Sequence, residues 1–70
     1  MQEKRIIVKH YPIRLGQFLK LAEAVSDGLE AKQKIAEQHI EVNGTTETRR
    51  GRQLRVGDRV LADGISYICS

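Results

Sequence analysis

Along these 70 residues the pattern of apolar positions breaks three times, and each break opens an element. Residues 5–9, with the run Ile6-Ile7-Val8, read as a short strand ended by Pro12. Over residues 14–25 the period becomes helical: Leu15, Phe18, Leu19, Ala22 and Val25 recur at three- and four-residue steps and share one face. That face belongs in a core. Ser26-Asp27-Gly28 breaks the pattern and opens a second helix over residues 29–38, with Ala31, Ile35 and Ala36 on its buried side. Asp27 and Glu30 stand at capping-box spacing, with Ser26 as the competing cap.

Beyond the second helix the period falls to two. Ile40 and Val42 flank Glu41, and Asn43-Gly44 is the dipeptide that a tight hairpin turn favours. Residues 45–58 are polar and turn-prone, with Leu54 and Val56 expected to point inward. Val56-Gly57-Asp58 should turn the chain into a strand over residues 59–62, and Asp63-Gly64 into a last strand over residues 65–68. The outer strands near Ile7 and Ile68 are expected to pair. The fold class is α+β: two short packed helices followed by β-hairpins forming a small antiparallel sheet, which the N-terminal strand joins. Residues 1–70 are expected to form a single domain. So short a chain buries only about 60% of its unfolded surface, which leaves little room for an enclosed catalytic pocket.

Charge adds what the pattern lacks. Arg49, Arg50, Arg52, Arg55 and Arg59 fall within eleven residues and are opposed there only by Asp58, a local net charge of +4. Residues 1–48 balance at seven basic against seven acidic, so the whole excess of +3 lives in one segment. A guanidinium fork matches phosphate oxygens two at a time, and such a cluster points to a polyanion. The plain alternative is a solvated loop.

Other chemistry finds no support. One cysteine, Cys69, excludes an internal disulfide and suits a reducing, cytoplasmic setting. His10 and His39 have no partner at ligand spacing, so no metal is expected. Nucleotide-loop patterns and paired carboxylates are absent, so the chain reads as no enzyme, with no cofactor and no small-molecule substrate. Ile6-Ile7-Val8 is too short for a membrane span. A monomer is expected.

Two lysines of the second helix part company when counted at 100° per residue. Lys34 projects opposite the apolar side, between Glu30 and Glu37, as a structural charge. Lys32 falls on the apolar arc, between the directions of Ile35 and Ala36, where a phosphate contact beside the helix pair is reasonable. Arg14 and Lys20 flank the first helix's apolar face, with Glu23 near Lys20. Tyr11, Phe18 and Tyr67 are the only aromatic residues. Stacking of unpaired bases therefore lacks its tools, and phosphate and shape reading of a folded RNA is the expected mode.

The order of these pieces resembles the S-four RNA-binding domain family, whose core is the alpha-L motif. It rests on Arg14-Leu15, Phe18-Leu19, Ser26, Ala31-Lys32, Ile35-Ala36, Ile40, Val42-Asn43-Gly44 and Leu54-Arg55-Val56-Gly57-Asp58, a core over residues 14–60. Thr48-Arg49-Arg50-Gly51-Arg52 looks most like the small stand-alone bacterial members. The resemblance implies a basic surface docking on structured RNA, ribosomal or transfer RNA, with ribosome association as an extension. It implies contacts at Arg14, Ser26 and Lys32, extended by Arg49, Arg50, Arg52 and Arg55; Lys20 joins the candidates from its place on the flank of the first helix alone. Two positions depart from the family pattern: Asp27-Gly28 stands where many members carry a basic residue, and Gln38-His39 where many carry glycine.

A protein-interaction module that turns its arginine loop on an acidic partner is the second reading. Duplex DNA fits less well, because Glu30, Gln33 and Glu37 face outward on the presumed reading helix.

Overall fold

Asn43 (φ 52°) with Gly44 (φ 85°), and Asp63 (φ 51°) with Gly64 (φ 79°), take the left-handed conformation that two-residue hairpin turns demand. A computed structural model describes residues 2–70 and shows what these turns connect. The chain runs β1 (Gln2–Ile6), β2 (Ile13–Arg14), α1 (Leu15–Leu21), α2 (Gly28–Ala36), β3 (Ile40–Val42), β4 (Thr45–Thr46), β5 (Gln53–Leu54), β6 (Arg59–Ala62) and β7 (Ile65–Cys69). Five strands form one sheet in the order β1-β7-β6-β3-β4, and β2 pairs with β5 in a separate antiparallel ribbon.

The N-terminal strand joins the sheet beside β7 as expected, but it runs parallel to it, with Arg5 opposite Ile68 and Ile6 opposite Cys69. The sheet is therefore mixed rather than wholly antiparallel. Pairing begins and ends earlier than the apolar run suggests. Ile6 and Val8 turn inward, whereas Ile7 between them is 77% exposed, as period-two alternation requires.

Both helices stop short of their sequence-based ends, and by the same device. Ala22 ends α1, Glu23 follows at φ 59°, and the N–H groups of Glu23 and Ala24 donate to the carbonyls of Lys20 and Leu19. Glu37 ends α2, Gln38 follows at φ 64°, and Gln38 and His39 donate to Ile35 and Lys34. Each is a Schellman closure with a non-glycine residue in the left-handed place. At the other end of α2, Asp27 wins the cap: its carboxylate accepts from the Glu30 N–H at 2.9 Å, while Glu30 reaches back to the Ser26 N–H.

Leu15, Phe18 and Leu19 of α1 and Ala31 and Ile35 of α2 pack with Ile40, Val42, Val60, Ala62, Tyr67 and Cys69 of the sheet in one buried cluster. Leu54 joins it fully buried, but Val56 is 68% exposed, because the turn at Gly57 (φ 93°) carries it away from the core. Ala36 is exposed as well, so the buried arc of α2 narrows to Ala31 and Ile35, one turn apart. Among the described residues no helix is long and apolar enough to cross a membrane.

Candidate nucleic-acid interface

Arg14 ends β2 and opens α1 without capping it through its side chain. The cap comes from the arginine loop between β4 and β5. The Leu15 N–H donates to the Arg52 carbonyl at 2.8 Å, and the Gly16 N–H donates to the Arg50 carbonyl at 3.1 Å. Two of the helix's orphan donors are thereby satisfied by the loop itself. Pairing of β2 with β5 (Ile13 opposite Leu54, Arg14 opposite Gln53) fixes the loop against that helix end.

Gly16 permits the close approach. A Cβ there would stand 3.0 Å from Arg50 Cγ, so the glycine lets the arginine stem lie across the first turn of α1. An open groove of about 330 Å³ results. Arg14, Gln17 and Lys20 line it from the α1 side, Gly28 and Ala31 from α2, and Arg50 and Gly51 from the loop. Three cations and no carboxylate face this space. Among the described residues none of the three forms an ion pair.

Inside the loop sits a carboxylate that is only 6% exposed, Glu47. It accepts from the backbone N–H groups of Thr48 (3.1 Å) and Arg49 (3.0 Å), from Arg49 Nε (3.1 Å) and from Arg52 Nη1 (2.8 Å). The hydrogen bonds from Arg49 and Arg52 hold its pKa down to about 2, against the opposing effect of burial. Sequence reasoning missed Glu47. The available signal was its place as the sole acidic residue between Glu41 and Asp58, two and five positions before Arg49 and Arg52.

The eight candidate residues thus separate. Arg14, Lys20 and Arg50 converge on the groove, while Arg49 and Arg52 gather on Glu47. Ser26 and Lys32 are exposed beside the groove's Gly28 and Ala31 without lining it. Lys32 lies on the flank of the narrowed arc rather than within it. Arg55 is exposed on the turn after β5, its N–H donating to Asp58 Oδ2 at 2.9 Å, away from the groove lining. The fifth clustered arginine, Arg59, pairs with Glu3 of β1 at 2.9 Å. Lys34 is structural, but its partner is Asp63 of the β6–β7 turn instead of Glu30 or Glu37. It lies half-buried on the opposite flank of α2 from Lys32, and the bond to Asp63 raises its pKa. Cys69 is buried in β7, which pushes its thiol up to about 11.

The geometry agrees with two likenesses. A stretch of 52 residues is 48% identical to the probable ribosome maturation protein RlbA of Bacillus subtilis (strain 168), covering 74% of this chain and 73% of that one. The S4 domain family model matches residues 6–69, from the end of β1 through β7. With the helix pair, hairpin and loop all inside that match, the chain belongs to the S4 domain family.

Proposed function

We propose that this chain is a non-catalytic module that binds structured RNA, ribosomal or transfer RNA, and works in association with the ribosome. One observation carries the reading: Arg14, Lys20 and Arg50 surround a single groove with no carboxylate among them. Three cations around an open groove suit successive phosphates of a folded strand. The name of the similar Bacillus protein, a probable ribosome maturation protein, supports the ribosomal side of the proposal. Lys32, Ser26 and Arg55 act at the margin. Residues 1–70 act as one unit, as a monomer in the cytoplasm, with neither cofactor nor small-molecule substrate.

The test is titration of the protein against a hairpin RNA at several salt concentrations. About three to four phosphate contacts give a logarithmic salt slope of roughly −3 to −4. Arg14→Glu and Arg50→Glu should each weaken binding at least tenfold across unrelated hairpins, while Lys34→Gln should change it less than twofold. A flat salt response rejects the reading. An acidic protein that co-purifies after nuclease treatment would favour the protein-interaction alternative.

A further inference from the structure

Four consecutive positions, Arg49-Arg50-Gly51-Arg52, carry three guanidinium groups in two different situations. Arg49 Nε and Arg52 Nη1 are bound to the two oxygens of Glu47, at 3.1 and 2.8 Å. Arg50, between them, makes no ion pair among the described residues, and its stem lies over Gly16 at the groove. The same loop donates nothing to α1 and accepts twice from it, through the carbonyls of Arg50 and Arg52. It is therefore held from inside by Glu47 and from outside by the first N–H groups of the helix. A loop of like charges would otherwise spread apart by repulsion.

We infer that Glu47 is the positioning residue of the RNA-binding loop: it ties Arg49 and Arg52 into a scaffold and leaves Arg50 as the loop's arginine presented to phosphate at the groove. This rests on the RNA-binding reading and goes beyond it, because it divides a uniform-looking basic cluster into scaffold and contact. Charge alone predicts the opposite effect of Glu47. Removing an anion beside a polyanion site should tighten binding, whereas removing a positioning residue should loosen it. The two accounts differ in sign.

The experiment measures hairpin-RNA affinity and salt slope for the full chain and for Glu47→Gln, Arg49→Gln and Arg50→Gln. Glu47→Gln is expected to weaken binding fivefold or more despite the gain in net positive charge. Arg50→Gln should flatten the salt slope by about 0.9, the value of one lost phosphate contact. Arg49→Gln, at a side chain 74% exposed, should lower affinity at an unchanged slope. Tighter binding by Glu47→Gln, or a slope lost equally with Arg49 and Arg50, overturns the inference. If Glu47→Gln does not fold, as circular dichroism would show, the comparison of Arg49 with Arg50 decides by itself. Absence of salt-dependent binding by the unaltered chain rejects the RNA reading and this inference with it. Binding that depends on Arg14 but treats Arg49 and Arg50 alike rejects this inference alone.

Discussion

Glu47 accepts five hydrogen bonds from its own loop, and its acidity follows from them. An ordinary glutamate titrates near 4.5, whereas this one is held near 2 by Arg49 and Arg52. The folded protein therefore binds this proton less readily than the unfolded chain does. Its stabilising share is complete above pH 4.5 and is lost as pH falls through about 2. A shift of this size corresponds to at most about 3 kcal/mol. In urea denaturation, Glu47→Gln should cost about 1–3 kcal/mol at pH 7, with the gap to the unaltered chain closing towards pH 2. A gap that stays constant across that range would mean the carboxylate's charge contributes nothing. At this scale the sequence is least legible. Ile7, Ala36 and Val56 are apolar and exposed, while Glu47 is acidic and buried. In each case tertiary position overrides residue type: a strand exit, a helix flank, a turn and a loop interior decide burial.

Elements were legible wherever their cause is local. Asn43-Gly44, Asp63-Gly64 and the Asp27–Glu30 cap each act over four residues or fewer, and each stands in the structure where its own residues put it. Helix ends were less legible, because Val25 is buried at 7% exposure although α1 has already closed at Leu21. Apolar periodicity ran on through the closure and hid it. The pairing of β2 with β5 involves two residues a side, too few to show any period. The two Schellman closures supply a prediction. Gln38 and Glu23 carry side chains in a left-handed conformation that favours glycine. Gln38→Gly should therefore stabilise the protein by about 0.5–1 kcal/mol, since relief at positive φ outweighs the added freedom of the unfolded chain. A higher urea midpoint with unchanged slope is the expected outcome, and a lower one would count against strain at this helix end.

For the whole molecule, the net charge of +3 conceals a division of labour. Lys34 and Arg59 tie separate elements together through carboxylates and Arg49 and Arg52 brace their own loop on Glu47, whereas Arg14, Lys20 and Arg50 face open space. Closure of the sheet is likewise separate from the groove. It depends on β1 lying parallel to β7, with the Val8 N–H donating to the Ser70 carbonyl and the Ser70 N–H to that of Ile6. Cys69 sits behind this closure at 1% exposure, opposite Ile6, and burial followed by the nearby Asp58 charge keeps its thiol protonated. A thiol reagent at pH 8 can therefore reach it only when the sheet opens. Ile6→Ala removes half-buried side-chain volume from the seam and should destabilise by about 1–2 kcal/mol. If opening is in rapid equilibrium, that raises the rate of thiol labelling roughly five- to thirtyfold. Hairpin-RNA affinity at 25 °C should stay within twofold, because no residue of β1 lines the groove. If labelling accelerates and RNA affinity falls together with it, the seam and the groove form one cooperative unit. If labelling accelerates alone, the RNA surface stands on the helix pair and the Glu47 loop, independent of how the sheet is closed.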